Sequence, residues 1–404
     1  MSVINLRNNI VQTIAGKSVI LLLNFVVVVL STRLWGTEGR GAIALFIANL
    51  TLIISVSNIF TASSVSYFLS KYGLSKLILQ AYLWVFAIAV VLGIVLHIYD
   101  HTTPSTLLFI LAVLVGFTTF HSAVFIGDQR IGYYNFITVI QPVIQISAML
   151  LFYYWIEKSF FAYYYGMIAS YAFVFVICRL LTGKTYGKIS YNLDKSTIKD
   201  VFLFGWQIEL SNFLQFFNYR LSFYFLNYFL GAASVGVFSV GIAISEAIWI
   251  VSRSIALVQY SNVIKQGDTN DSRNETKITV KYSFFISLIC LIIVLCLPKQ
   301  VFSFVFGEGF EGVKQVILLL SPGILAIAIS NVYGNYFSAI GKAKILIMKS
   351  AIGVIFTVGL SIWLIPILHV PGACIVNASS YLVSSIILFW FFFRRNGFSR
   401  NPTS

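Results

Sequence analysis

Along the chain, apolar residues come in long unbroken runs separated by short polar turns, without the one-sided stripe of a soluble helix or the alternation of a strand. About 20 apolar residues suffice to cross a bilayer, and such runs predict helices at about 10–31, 42–68, 77–98, 105–126, 136–156, 160–181, 202–227, 235–257, 283–298, 315–338, 345–365 and 373–393. The expected fold class is therefore an all-α integral membrane protein of about twelve transmembrane helices. The first run, Ile10 to Ser31, is too long for a signal-peptide core, lacks a small-x-small cleavage site and leads into further spans, so it reads as a membrane helix.

The longest polar stretches are 183–200 and 261–281, and the first leaves six predicted helices on either side. That divides the chain into an N-terminal lobe, 1–182, a cytoplasmic linker, 183–200, and a C-terminal lobe, 201–404, with a short basic tail. The halves echo one another. Gly36-Thr-Glu-Gly-Arg-Gly-Ala recurs loosely as Gly231-Ala-Ala-Ser-Val-Gly-Val, Gly127-Asp-Gln-Arg as Gly341-Lys-Ala-Lys, and Ala169-Ser-Tyr as Ser379-Ser-Tyr. Six helices per half preserve orientation, so the expected architecture is two parallel six-helix lobes around a central cavity, with the substrate site between them.

Composition removes the soluble alternatives: the 404 residues are 59% hydrophobic and only 10% charged, against about 25% charged in a typical soluble domain. No length remains for a separate soluble domain. The surplus of 27 Lys and Arg over 13 Asp and Glu, +14 in all, concerns membrane orientation rather than nucleic acid. The turns after odd-numbered helices hold only Arg33, Arg40, Lys158, Lys299 and Lys314. The opposite side holds many more cations, among them Lys184, Lys188, Lys195, Lys199, Lys277 and Arg394. The asymmetry assigns both termini to the cytoplasm. Tyr153-Tyr154-Trp155 and Tyr163-Tyr164-Tyr165 flank a periplasmic turn, where an aromatic belt is expected.

Polar residues inside spans are costly and mark functional positions. Helix 1 carries Thr13, Lys17, Asn24 and Ser31 on one face; helix 7 carries Glu209 and Arg220, with Asn212 beside Glu209; helix 8 aligns Glu246 with Arg253; helix 10 has a Pro322-Gly323 break followed by Asn331 and Asn335. Lys17, Arg220 and Arg253 are the candidate cavity cations, and each admits a second reading, a side chain snorkelling to the interface. Arg179 and Lys349 read as interfacial. Glu209 and Glu246 read equally as ion-coupling groups or as structural partners of the cations. Asn24, Asn212, Asn331 and Asn335 are candidate cavity lining, or hydrogen-bond glue between helices. The four cysteines lie in apolar runs with no disulfide or zinc spacing, and His97 and His121 lack ligand partners. No Walker A, no GxSxG elbow and no glycosidase-like carboxylate pair is present, so neither an enzyme nor a cofactor or metal is expected.

The segments Arg33-Leu-Trp-Gly-Thr-Glu-Gly-Arg-Gly, Phe306-Gly-Glu-Gly-Phe, Leu319-Leu-Ser-Pro-Gly, Ala339-Ile-Gly-Lys and Val370-Pro-Gly-Ala, taken together, resemble the polysaccharide transporter branch of the multidrug/oligosaccharidyl-lipid/polysaccharide exporter superfamily, in particular bacterial O-antigen flippases. The resemblance covers essentially the whole chain. It implies two six-helix lobes in the inner membrane and a cationic cavity in which Lys17, Arg220 and Arg253 are available to a pyrophosphate. The implied activity is flipping of undecaprenyl-pyrophosphate-linked O-antigen repeat units from the cytoplasmic to the periplasmic leaflet. Implied partners are the lipid-linked oligosaccharide, an O-antigen polymerase and a chain-length regulator. The alternatives are a capsular or other exopolysaccharide repeat-unit exporter, or a drug/cation antiporter of the same fold. An antiporter for organic cations calls for an acidic cavity, whereas here intramembrane cations at least match carboxylates.

Overall fold

The computed structural model describes residues 3–99, 103–187 and 192–394, with side chains from Val19 onward except Val251. Among the described residues every regular element is an α-helix: α1 (Val3–Thr61), α2 (Ser63–Tyr72), α3 (Leu74–Tyr99), α4 (Ser105–Gly127), α5 (Ile131–Trp155), α6 (Phe161–Tyr186), α7 (Lys195–Leu230), α8 (Ala232–Gln266), α9 (Asn270–Cys296), α10 (Lys299–Phe306), α11 (Val313–Ala339) and α12 (Ala343–Phe393).

Two helices are far longer than a bilayer requires. At 1.5 Å per residue, α1 and α12 would measure about 88 and 76 Å if straight, against a hydrocarbon core of about 30 Å. Each is broken once, α1 at Gly36 (φ 62°, ψ −161°) and α12 at His369 (φ 57°, ψ −134°). The chain folds back at both breaks. Arg40 Nη1 donates to Ser31 Oγ at 3.3 Å across nine residues, and Gly372 lies against the Leu364 carbonyl so closely that a Cβ would sit 2.4 Å from it. Each helix thus supplies two spans, where the hydrophobic runs predict them. Nine helices among the described residues are long and apolar enough to cross a membrane, and two of these are the broken pair. The remaining long helix is α7, which has the length, 36 residues, but carries too many polar side chains to qualify. The protein is a multi-pass, all-α membrane protein.

The chain divides into two compact units, one comprising residues 1–213 with 305–309 and the other 214–304 with 310–404. The polar stretch 183–200 lies within the first unit, where its end is tied down. Lys76 pairs with Asp194 at 3.3 Å, and Lys71 pairs with Asp200 at 3.3 Å while the Tyr72 hydroxyl donates to the same carboxylate. The Thr197 and Ser196 hydroxyls and Lys76 hold the Asp194 carboxyl below the ordinary range. Tyr72 and Lys71 do the same for Asp200.

In that unit the apolar core joins α1, α3, α4, α5 and α6 around Phe46, Leu111, Met149 and Tyr164. Tyr163 and Tyr164 are buried there, Tyr164 stacking on Phe46 at 4.0 Å. They are core residues rather than part of an interfacial belt, because α6 turns that face inward onto α1; Tyr154 and Trp155 stay exposed. His121 is a packed histidine, its ring nitrogens 2.7 Å from the Tyr82 hydroxyl and 2.8 Å from the Thr182 hydroxyl.

In the second unit α11 packs on α8, α9 and α12. The polar stretch 261–281 is a helical hairpin rather than a loop. Gln259 donates to Thr276 at 2.6 Å and Asn262 to Glu275 at 2.6 Å, and Thr269 with Ser272 forms a capping box that starts α9. Asp268 closes the tip. It takes Arg273 Nε at 2.7 Å and the Tyr336 hydroxyl at 2.5 Å, with Lys342 Nζ at 3.6 Å. These donors, Arg273 foremost, lower the Asp268 pKa to about 2.

One turn recurs between the two halves, in a different register from the glycine echo of the sequence. Gly36, Gly73, Gly231 and Gly267 all adopt positive φ (62°, 74°, 80° and 70°) with extended ψ, a conformation open essentially to glycine, so this geometry alone does not pair them. Between α4 and α5 the amides of Asp128, Gln129 and Arg130 donate to the carbonyls of Val124, Ile126 and Phe125. Between α11 and α12 those of Ile340, Gly341 and Lys342 donate to Tyr336, Ser338 and Phe337 in the same pattern. Gly341 therefore corresponds to Gln129 and not to Gly127. Gly127 is a packing glycine whose absent Cβ would lie 3.1 Å from the Ser66 carbonyl, so the same residue type answers a different need.

Candidate functional site

The polar helix α7 sets the site. Its second half belongs to the second unit, where positions 218, 219 and 222 meet α8 and α12. Tyr219, Trp249 of α8 and Tyr381 of α12 form a closed triad with ring centroids 5.5 to 5.7 Å apart, a geometry that fixes three helices at one point. Gln215 Nε2 donates to the Tyr219 hydroxyl at 2.5 Å, Asn377 Nδ2 to the Tyr381 hydroxyl at 3.4 Å, and Ser222 Oγ to Asn377 Oδ1 at 2.5 Å.

Arg220 stands next to this triad. Its Nη2 lies 2.8 Å from Glu246 Oε1 on α8, with the two side chains 25% and 34% exposed, and its guanidinium sits 5.2 Å from the Phe223 ring. Glu246 and Trp249 are three residues apart on one helix face, so the ion pair and the triad are built on the same turn of α8. The other N–H donors of Arg220 have no partner among the described residues. A guanidinium has five such donors in a planar fork, so Glu246 orients Arg220 and leaves part of the fork available to a second anion.

Below this, Asn218 Nδ2 donates to the Ser350 carbonyl at 3.0 Å, and Ser380 Oγ reaches the Gly353 carbonyl at 3.0 Å. Gly353 is required there: a Cβ would lie 2.7 Å from the Asn218 amide and 2.8 Å from Ser384 Oγ.

The remaining sequence candidates are dispersed. Glu209 is buried in the first unit and accepts from Asn212 Nδ2 at 3.2 Å; on α7 it stands eleven residues from Arg220, which pairs with Glu246 instead. Arg253 is exposed, and its charge acts on Lys349 of α12. Asn24 is exposed. Asn331 Nδ2 donates to Ser252 Oγ at 2.9 Å, joining α11 to α8, and Asn335 is half-buried one turn further on. Lys17 lies on α1, but its side chain falls outside the described residues. The sequence reading missed Tyr219 and Trp249, for aromatic residues are everywhere in this chain. It registered Tyr381 only as part of the Ser379-Ser-Tyr echo. Among the described residues no group of His, Cys, Asp and Glu is arranged to hold a metal ion.

No protein-family profile matches the chain. Over 224 residues it is 25% identical to the capsular polysaccharide biosynthesis protein CapF of Staphylococcus aureus, an alignment covering 54% of this chain and 56% of that protein. The chain thus spans about half the length of that relative. Among solved structures it is similar to an inward-facing multidrug resistance MATE family transporter of the MOP superfamily, with a TM-score of 0.76 at 14% identity over 92% of this chain and 93% of that one. It is similar also to the lipid II flippase MurJ in an inward closed conformation, with a TM-score of 0.77 at 11% identity over 95% of this chain and 87% of that one. The chain has the fold these transporters share.

Proposed function

We propose that this protein is a flippase for lipid-linked oligosaccharides. It carries undecaprenyl-pyrophosphate-linked repeat units of a surface polysaccharide from the cytoplasmic to the periplasmic leaflet of a bacterial inner membrane by alternating access, with both termini cytoplasmic. The observation that carries the reading is Arg220: a cation on α7, a polar helix of membrane-spanning length, oriented by Glu246 and with donors to spare. A pyrophosphate cannot cross hydrocarbon unshielded, and charge-assisted bonds from a planar fork suit its oxygens. The likeness to MurJ, a flippase of lipid II by its name, and the partial likeness to a capsular polysaccharide biosynthesis protein support the same substrate class. The glycan is that of an O-antigen or a capsule, and the polymerase and chain-length regulator of its assembly line are the expected partners.

In this reading Arg220 and Arg253 hold the pyrophosphate, with Lys17 added on sequence grounds alone. Asn24, Asn212, Asn331 and Asn335 line the path. Outward movement of an anion follows the membrane potential, worth roughly 2.3 kcal/mol per charge per 100 mV, so coupling to an ion is an aid rather than a necessity. Glu209 and Glu246 are the carboxylates for such coupling. The rival, a drug/cation antiporter, draws on the MATE fold; against it, Glu246 is already neutralised by Arg220.

The test is deletion in the native host. Loss of surface polysaccharide, with lipid-linked repeat units retained in the cytoplasmic leaflet, is expected. Full-length polysaccharide in a strain lacking any second flippase refutes the proposal, and resistance to organic cations on expression without restored polysaccharide favours the rival.

A further inference from the structure

Away from the site, several cations of the second unit have no carboxylate partner among the described residues, and three of them gather at one end: Lys277 and Lys281 on α9, and Arg394 just after α12. All three are exposed. Lys277 and Lys281 are four residues apart on one helix, an arrangement of like charges that disfavours the helix unless an anion offsets it. Of the acidic groups at this end, Glu275 is engaged by Asn262 and Gln266, and Asp268 by Arg273, Tyr336 and Lys342, while Asp271 lies in the first turn of α9, six residues before Lys277.

The three cations do not face open water alone. Lys277 Nζ lies 5.9 Å from the Phe393 ring and the Arg394 guanidinium 4.5 Å from the Trp390 ring, so the end of α12 and the start of α9 share one charged and aromatic border. Directly below it, both helices present apolar side chains outward: Tyr282, Phe285 and Ile289 on α9, and Ile386 and Phe389 on α12, each at least 49% exposed. In a membrane protein such stripes face acyl chains, and aromatic rings with adjacent Lys and Arg mark headgroup depth.

We infer that Lys277, Lys281 and Arg394 form a binding site for the phosphate headgroup of an acidic glycerophospholipid, whose acyl chains lie along the exposed stripes of α9 and α12. Charge complementarity selects the occupant. Unpaired cations at headgroup depth attract an anionic lipid by about 1 kcal/mol each, or roughly fivefold per cation, and a zwitterionic lipid gains far less. The site lies outside the Arg220 cluster and stands independently of the substrate assigned above.

The full chain, reconstituted in nanodiscs containing phosphatidylglycerol and phosphatidylcholine, is the sample, and lipids co-retained on release into detergent are counted by native mass spectrometry. Phosphatidylglycerol is expected to be retained in preference, to be lost at raised ionic strength, and to fall by roughly fivefold for each of Lys277→Gln, Lys281→Gln and Arg394→Gln. Lys277→Arg with Lys281→Arg is expected to keep it, as is the control Lys195→Gln with Lys199→Gln. Equal retention of the two lipids, or retention in the wild-type chain indifferent to salt, overturns the proposal. So does a prenyl pyrophosphate that binds at these three cations when phosphatidylglycerol does not, for the site would then belong to the transported substrate.

Discussion

The pairing of Arg220 with Glu246 makes a prediction that separates its structural role from its transport role. At 2.8 Å between Nη2 and Oε1, the charge centres are about 4 Å apart, worth about 4 kcal/mol before screening at an effective permittivity of about 20. With the two side chains 25% and 34% exposed, screening and desolvation reduce the net coupling to roughly 1–2 kcal/mol. Arg220→Gln and Glu246→Gln should therefore each destabilise the protein, and the double variant should cost less than the sum by that coupling, read from thermal unfolding of the nanodisc-embedded protein as a double-mutant cycle. Transport should behave otherwise. Arg220→Gln removes the phosphate fork, so flipping of lipid-linked repeat units falls by at least tenfold and the second substitution does not restore it. Glu246→Gln frees the fork, so a prenyl pyrophosphate binds more tightly while turnover slows. Strictly additive stability effects would refute the coupling. Normal polysaccharide output from Arg220→Gln at normal protein level would refute the role of Arg220 in binding.

Other outcomes follow from single positions. Gly36→Ala places a Cβ at φ 62°, ψ −161°, a conformation open essentially to glycine, and should cost about 1–3 kcal/mol in unfolding; His369→Gly, at φ 57°, should stabilise by relieving the same strain. Gly353→Ala drives a methyl into the Asn218 amide and Ser384 hydroxyl and should destabilise by about 1–3 kcal/mol, read as a lower melting temperature of the nanodisc-embedded protein. Asp268, with a pKa lowered from 3.8 to about 2 by Arg273 first and then Tyr336 and Lys342, contributes stability that is fully present above about pH 4 and is lost as pH falls toward 2. The contribution is about 2 kcal/mol or less, and Asp268→Asn should remove that segment of the stability profile; an unchanged profile would contradict the tip network.

The division of labour within the second unit gives the site its character. The aromatic triad and the Asn218 cluster are closely packed, with Trp249, Tyr381 and Asn218 buried, so they act as a frame for α7, α8 and α12 even though Trp249 Nε1 has no hydrogen-bond partner among the described residues, whereas Arg220 and Glu246 are partly exposed and keep spare hydrogen-bonding capacity. In the proposed reading an anion arriving at Arg220 takes the donors that Glu246 leaves free, without disturbing the neighbouring packing. The frame also explains why the second half of α7 tolerates Gln215, Asn218, Arg220 and Ser222: each bonds to a protein neighbour rather than meeting lipid.

Much of this protein was legible from the amino-acid order because the bilayer imposes a length. A hydrocarbon slab of about 30 Å dictates runs of about 20 apolar residues, so the spans, and the reversals at Gly36 and near Val370-Pro-Gly, could be read directly. Helical periodicity also put Arg220 and Glu246 inside spans. It could not pair them, since a period of 3.6 residues says which side chains share a face of one helix and nothing about which helix that face meets. Glu209 with Arg220, and Glu246 with Arg253, are alignments along single helices; the ion pair that forms joins α7 to α8. The repeat register shows the same limit: glycine at 127 and at 341 looks equivalent, yet one serves close packing and the other a left-handed turn. The cluster of Lys277, Phe393 and Arg394 is likewise a product of tertiary structure, joining residues more than a hundred positions apart. Hydrophobic thickness is a one-dimensional constraint and is written along the chain, whereas which charged groups neutralise one another depends on which helices are neighbours, and that is decided only by packing.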